Sequence, residues 1–172
     1  MFKKMYTKKR PDGSEREYII NPYQMAAKEG KYYLICNYDK YDDISNYRLD
    51  RIKDLKILDT PQKPYEKLKW AGGNNLDLHK YMTEHIYMYS SENNRVKFRI
   101  ARPMISDVID MLGKDIRFSD ETDTHVTVTA NVNEMSMHQF AKSFALDVVV
   151  LEPQSLAEKI KDDLKKSLEN YN

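Results

Sequence analysis

The stretch from Val126 to Val132, VTVTANV, decides the fold of the second half of the chain. Its side chains alternate between apolar and polar, which predicts a β-strand with one face in a core and the other in water. Val96, Phe98 and Ile100 alternate in the same way upstream. Two half-buried strands of this kind indicate a sheet with one solvated face.

A helical pattern follows each of these strands. Pro103 is placed to open a helix with an apolar inner face, and Gly113 is placed to end it. After the second strand, Ser136 and Gln139 have the spacing of a capping box, so Ser136 is predicted to cap a second helix. The pattern therefore reads strand, helix, strand, helix over this part of the chain.

Two further strands and a last helix complete the second half. Residues 116–118 predict a brief strand, and the continuous apolar run from Val148 to Leu151 predicts a buried central strand. Ser155 with Glu158 predicts the cap of a final helix. The resulting order is β-α-β-β-α-β plus a C-terminal helix, which is the ferredoxin-like order, and it is expected over residues 95–172.

The first 60 residues contain short strand patterns separated by tight turns and no long helix, which favours a small β-barrel. Residues 61–94 are less regular and predict a connector with one helix between Asp77 and Tyr89. The fold class expected for the whole chain is α+β. The strand patterns of the first part are residues 2–9, residues 17–21 ended by Pro22, residues 32–38 and residues 55–58.

Composition excludes several classes of protein. The 172 residues carry a net charge of +1, so any binding of nucleic acid must come from a local patch. A single cysteine, Cys36, permits no disulfide within the chain and suits a reducing cytoplasm. Residues 1–10 have no apolar core of a signal peptide, and no window approaches the length of a membrane span. A cytoplasmic protein that does not contact a membrane is therefore expected.

Several stretches resemble the WYL domain and the extension that commonly follows it. The naming triplet corresponds to Tyr32-Tyr33-Leu34, with tyrosine in place of tryptophan, and residues 47–52, YRLDRI, match a later block in which Ser45 replaces an arginine. Residues 96–100 and 148–156 match the extension. The resemblance implies an Sm-like or SH3-like five-stranded barrel that senses a ligand, usually behind an N-terminal helix-turn-helix domain that is absent from this chain.

The resemblance also implies a basic and aromatic pocket in the barrel. An arginine fork matches phosphate oxygens, and an aromatic face stacks on a base. Arg48, flanked by Tyr47, is the first candidate ligand contact, followed by Tyr33 and Arg51, with Tyr32 as a further candidate. Tyr32 and Tyr33 point to opposite faces of their strand, so at most one faces the pocket. The alternative is that Arg48 pairs with an acidic neighbour.

Other chemistry finds less support in the sequence. Lys3-Lys4 and residues 8–10, KKR, could touch a phosphate backbone, but a lysine-rich strand edge is the preferred interpretation. His79 and His85 lack the spacing of a helical metal pair, and Cys36 is expected to be a buried structural thiol. No metal site, no cofactor and no catalytic constellation is predicted, so the chain is not expected to be an enzyme.

The functional hypothesis is the ligand-sensing and dimerising region of a bacterial transcriptional regulator. Its barrel would bind a nucleotide or oligonucleotide effector, its likeness to the family favours a homodimer, and DNA would be contacted through the absent helix-turn-helix domain. The alternative is a stand-alone accessory module that binds single-stranded nucleic acid. An enzyme of unknown type is a third hypothesis, for which the sequence offers no set of perturbed titrating groups.

Overall fold

The computed structural model describes residues 2–9, 13–69 and 73–171. The chain divides into two compact units, Met1–Tyr81 and Met82–Asn172. Each unit is built on one antiparallel sheet, and helices lie mainly in the second. The predicted α+β class is confirmed.

The first unit contains a five-stranded sheet in the order β4-β3-β2-β1-β5. Within the described residues, β4 and β5 at its two ends do not pair with each other, so the sheet does not close and the Sm-like barrel is not confirmed. Short 3-10 turns occupy Leu49–Arg51 and Tyr65–Lys67. The strands are β1 (Phe2–Lys9), β2 (Glu15–Lys28), β3 (Lys31–Tyr38), β4 (Ile44–Arg48) and β5 (Lys53–Pro61).

Strand β2 does not stop at Pro22 as predicted, but runs on to Lys28. Its pairing with β1 ends at Ile20, and from Asn21 onward its pairing partner among the described residues is β3. A register shift between Pro22 and Gln24 marks a bulge. Proline is tolerated there because one side of the strand needs no amide donor.

Strand β1 lies inside the sheet, between β2 and β5, so the prediction of a lysine-rich sheet edge is wrong for this segment. Lys3 is half-buried and pairs with Asp39, with Nζ and Oδ1 2.9 Å apart. The side chains of Lys8 and Lys9, and all of Arg10, fall outside the described part of the structure.

Helix α1 spans Leu78–Glu84 and is shorter than the helix predicted between Asp77 and Tyr89. Asp77 supports its start, because its carbonyl accepts from the amide of Tyr81 and its Oδ1 accepts from the amide of Lys80.

The second unit contains a four-stranded sheet in the order β7-β8-β6-β9. Its elements follow along the chain as a strand, a helix, two strands, a helix, a strand and a final helix, while the ferredoxin-like assignment stays a prediction. They are β6 (Asn93–Ala101), α2 (Ile105–Leu112), β7 (Arg117–Ser119), β8 (His125–Asn133), α3 (Glu134–Ser143), β9 (Val148–Glu152) and α4 (Gln154–Glu169).

Strand β9 is an edge strand, so the predicted buried central position is wrong. Val148 and Val150 face the core, whereas Val149 and Leu151 are 41% and 36% exposed. An uninterrupted apolar run does not guarantee burial on both faces, because successive side chains of a strand always point to opposite sides.

Two predicted helix caps are also wrong. Helix α3 begins one turn earlier, where Asn133 Oδ1 accepts from the amide of Ser136 at 3.1 Å, and Ser136 itself is buried inside the helix. Helix α4 follows Pro153 without a side-chain cap, and Ser155 lies within its first turn. A serine followed three residues later by Glu or Gln is therefore too weak a signal to fix a helix start here.

One core holds the second unit together. The inward faces of β6, β8 and β9 and the apolar sides of α2, α3 and α4 meet in a single cluster, with Phe98 and Phe140 among its fully buried members. All three helices therefore contribute to the core on one side of this sheet. None of the helices in the described ranges combines the length and apolarity that a membrane crossing requires.

Candidate ligand-binding site

The pairing of β3 with β4 places Tyr33 directly opposite Arg48. The guanidinium of Arg48 is held by Asp50 in a two-pronged pair, with Nε donating to Oδ1 at 3.0 Å and Nη2 donating to Oδ2. This pairing lowers the pKa of the Asp50 carboxyl and raises that of Arg48. The acidic neighbour considered above is thus present, and a ligand anion at Arg48 would compete with Asp50.

Tyr47 points to the other face of the sheet from Arg48, because the two are adjacent on one strand. Its ring packs against Tyr6, with centroids 5.5 Å apart, and its hydroxyl is within hydrogen-bonding range of Tyr6 and Ser45. Burial raises the pKa of Tyr47 to about 12. Tyr47 therefore belongs to the packed interior of its unit.

The five predicted ligand residues do not form one group. Tyr33 and Arg48 are neighbours, Tyr47 lies on the opposite face, Tyr32 is 65% exposed, and Arg51 is exposed on the 3-10 turn after β4. Their role in binding stays a prediction.

A different group of aromatic side chains gathers on the face that carries Tyr47. The β1–β2 register sets Tyr6 against Tyr18, whose rings stack with centroids 5.1 Å apart, and Tyr38 from β3 lies 5.2 Å from Tyr18. Tyr41, in the turn after β3, meets Tyr38 edge to face at 5.4 Å. We call Arg16, Tyr18, Tyr38 and Tyr41, with Tyr6 and Tyr47 packed behind them, the tyrosine–arginine cluster.

Arg16 lies at the exposed end of this cluster. Its guanidinium carbon is 5.0 Å from the ring centre of Tyr18 and 5.6 Å from that of Tyr38, and its Nη2 donates to the Tyr38 hydroxyl at 3.0 Å. The bond to Tyr38 raises the pKa of Arg16. Within the described part of the chain, Arg16 forms no ion pair with a carboxylate, which distinguishes it from Arg48.

This arrangement combines an aromatic platform with a charged fork. A base can stack on an exposed tyrosine face, and an arginine between aromatic rings can bind an anionic group while its own plane stays stacked. The packed tyrosines behind would hold the platform rigid, since Tyr6 is only 3% exposed. Its chemistry suits a ligand that has both an aromatic ring and a negative charge.

Sequence reasoning missed this cluster because its members come from four different strands and one turn. The available signal was the spacing of Arg16, Tyr18 and Ile20 at every second residue, which puts all three on one face of β2. Tyr38 joins them only through the pairing of Ile20 with Tyr38.

The opposite face of the first sheet carries a polar network that is structural. Asn21 and Asn37 are fully buried and joined by a hydrogen bond of 2.9 Å from Asn21 Nδ2 to Asn37 Oδ1. Asn21 Nδ2 also donates to Asp39 at 2.9 Å, and its Oδ1 accepts from the amide of Lys63 at 2.8 Å. Because these polar atoms are hydrogen-bonded to one another, we interpret the network as a support for the loops around it and not as a ligand site.

Neither a metal cluster nor a reactive thiol emerges from the described residues. They contain no group of three or more His, Cys, Asp or Glu side chains arranged to hold a metal ion. Cys36 is fully buried, as predicted, and burial raises the pKa of its thiol far above the ordinary value. A neutral buried thiol is a poor nucleophile.

Two family models match the chain. Residues 5–57 match the WYL domain and residues 92–168 match the WCX domain. The chain carries a WYL domain followed by a WCX domain. The tyrosine–arginine cluster lies entirely on the WYL domain, and the family supports a regulatory sensing role in general terms. No curated protein matches the sequence.

One solved structure shares the fold at low sequence identity, and a second aligns more weakly. A CRISPR Cas-related protein aligns with a TM-score of 0.55 and 16% identity over 99% of this chain and 48% of its own. Proteasome accessory factor B/C (PafBC) of Arthrobacter aurescens aligns with a TM-score of 0.43 and 14% identity over 99% of this chain and 25% of its own. The chain thus spans between a quarter and a half of the length of these proteins.

Proposed function

We propose that the chain is the sensing region of a transcriptional regulator and that its WYL domain binds a nucleotide or a short nucleic-acid segment. The observation that carries the proposal is Arg16, stacked between Tyr18 and Tyr38 and free of a carboxylate partner within the described part of the chain. Arg48, the contact expected from sequence, is by contrast occupied by Asp50. The ligand's base would stack beside Tyr38 and Tyr41, and its phosphate would take the open donors of Arg16.

Sensing requires that the ligand favour one of two states of the regulator. In this proposal the ligand bridges β2, β3 and the turn after β3, because Arg16, Tyr38 and Tyr41 come from those three segments. A ligand that binds them together would stiffen this part of the WYL domain. The chain acts through binding in this account and not through catalysis.

Fluorescence-polarisation titration of a labelled tetrathymidylate tests the proposal. Arg16→Ala should weaken binding by about tenfold or more, since hydrogen bonds to charged groups are the stronger ones. Tyr38→Ala should weaken it about 5- to 150-fold, the range measured for loss of one stacked base. Arg16→Lys keeps the charge but loses the planar fork, and we expect its affinity for tetrathymidylate to stay well below that of the parent.

Lys31→Ala is the matched control, because it removes one exposed charge from the β2–β3 hairpin of the same domain. It should bind as the parent does. Equal binding by the parent and Arg16→Ala would contradict the proposal, and a loss confined to Arg48→Ala would return the site to the position expected from sequence.

The homodimer expected from sequence is part of the proposal. Light scattering coupled to gel filtration tests it, with a mass near twice 20.4 kDa supporting the dimer and a mass near 20.4 kDa opposing it.

A further inference from the structure

One face of the WCX sheet packs in the core against α2, α3 and α4, and the other carries polar side chains. At one end of the polar face, Glu84 accepts hydrogen bonds from Asn93 and Asn131. Val96, Phe98 and Ile100 of β6 are fully buried in the cluster that includes α2, α3 and α4. The side chains between them, on the solvent side, are cationic. They are Lys97 and Arg99, with Arg95 on the same face just before Val96. Arg117 lies on β7, which β8 separates from β6.

Strand register brings these cations onto one surface. Arg99 lies opposite Thr127 of β8, and Lys97 lies opposite Thr129, which in turn faces Arg117 on β7. Arg95, Arg99 and Arg117 are exposed. We call Arg95, Lys97, Arg99 and Arg117 the basic sheet face.

The charge of this face contrasts with that of its domain. Residues 82–172 contain eleven Lys and Arg against fifteen Asp and Glu, which leaves a net charge of −4. Lys97 is near Asp120, with Nζ and Oδ2 3.7 Å apart, and has Glu152 opposite it on β9. The three arginines form no ion pair with any described residue. A group of unpaired guanidinium ions on an acidic domain marks a surface for an anion.

The spacing of the cations favours a linear polyanion. Alternate residues on a strand are about 6.8 Å apart, so the three cations of β6 form a straight row. Thr129, opposite Lys97 on β8, is partly exposed beside that row, whereas Thr127 is buried. No aromatic side chain alternates with the cations on β6, which favours contacts with phosphate over stacking with bases.

The chemistry proposed for the tyrosine–arginine cluster favours a single strand over a duplex, because a base that stacks on a tyrosine ring must be unpaired. We propose that the basic sheet face binds the phosphate backbone of single-stranded nucleic acid. The proposal deepens the proposed function and rests on its nucleic-acid ligand. The contacts of the WCX domain would be with phosphates and would not depend on base sequence.

The test measures binding of a labelled 20-nucleotide oligothymidylate to the full chain at several salt concentrations. The variant carries Arg95→Gln, Arg99→Gln and Arg117→Gln, and the matched control carries Lys161→Gln, Lys165→Gln and Lys166→Gln on α4. Both lose three positive charges from exposed positions. Thermal unfolding followed by circular dichroism establishes that each variant is folded.

Loss of three phosphate contacts should reduce the slope of log affinity against log salt by about 2, because each contact on a single strand contributes about 0.7. At 0.1 M salt this corresponds to binding about 100-fold weaker. The control should keep the slope of the parent. Tetrathymidylate binding should be unchanged in both, since that ligand reports on the tyrosine–arginine cluster.

An unchanged slope in the arginine variant would overturn this proposal while intact tetrathymidylate binding left the proposed function standing. Equal losses in the variant and the control would also overturn it, because the effect would then come from total charge. A parent chain that does not bind the 20-residue strand would do the same. If polyglutamate of equal length bound as tightly as the oligonucleotide, the nucleic-acid proposal would be overturned in favour of an acidic protein partner.

Discussion

Replacing Asn37 with alanine should unfold the WYL domain at a markedly lower temperature. Asn37 is fully buried, accepts from Asn21 at 2.9 Å, and donates to the carbonyl oxygens of Tyr41 and Asp43 at 2.8 Å each. The substitution removes three hydrogen bonds and leaves polar atoms in the interior with fewer partners. It also releases the turn that carries Tyr41.

The magnitude follows from these three bonds. Each contributes about 1 kcal/mol net, so the free energy of unfolding should fall by about 3 kcal/mol. For a domain of 60–100 residues, 1 kcal/mol corresponds to a shift in Tm of about 4–8 °C, which predicts a decrease of about 12–24 °C. The oligonucleotide affinity of the remaining folded protein should also fall, since Tyr41 loses its anchor.

Differential scanning calorimetry of the full chain measures the shift. Asn74→Ala is the control, because Asn74 is exposed in the same unit. Asn21→Ala combined with Asn37→Ala should cost less than the sum of the two single changes, because the two side chains share a bond. A shift for Asn37→Ala no larger than that for Asn74→Ala would refute the assignment of the network as a structural support.

Three further predictions concern stability. Phe140→Ala should destabilise the WCX domain by about 3–5 kcal/mol in urea unfolding, whereas Phe118→Ala, at a position 43% exposed, should cost clearly less. Asn133→Ala should lower the free energy of unfolding by about 1 kcal/mol or more, because α3 loses its N-terminal cap. Ser155→Ala should leave the Tm near that of the parent, because Ser155 does not cap α4. A larger loss for Ser155→Ala than for Asn133→Ala would favour the caps predicted from sequence. Partial burial by itself raises the pKa of Asp39, but hydrogen bonds from Asn21 and Lys3 outweigh it and lower the pKa of the folded carboxyl. The stabilisation is therefore present above the ordinary carboxyl pKa of about 4 and is lost as pH falls below that value. Asp39→Asn should flatten the dependence of Tm on pH in acid, and the same dependence in the variant and the parent would contradict this.

Sequence patterns predicted the elements of the WCX domain because its strands and helices bury one face each. Val96, Phe98 and Ile100 alternate with cations, and the structure buries the first set and exposes Arg95 and Arg99. The position of a strand within its sheet is a different matter. The apolar run Val148–Leu151 is compatible with a strand at the centre of a sheet and with a strand at its edge. In the structure this strand pairs with β6 and ends the strand order, which places it at the edge.

The WYL domain was harder to predict because its structure depends on pairing between distant segments. Pro22 would stop the strand only if a neighbouring strand required an amide donor at that position, and the pairing with β1 ends at Ile20. Arg16 acquires its aromatic neighbours through the registers that join β2 with β1 and β3. Arg48 lies in a matching family block, yet its pairing with Asp50, two residues away, appears only in the side-chain geometry.

The most direct test of the central claim is to locate the bound ligand. A short single strand containing 5-iodouracil is irradiated in complex with the full chain, and the crosslinked peptides are identified by mass spectrometry. Stacking of a base in the tyrosine–arginine cluster predicts crosslinks at Tyr38 and Tyr41 that are lost in Arg16→Ala and kept in Lys31→Ala. Crosslinks at Tyr33 with none at Tyr38 or Tyr41 would contradict the account and place the ligand beside Arg48.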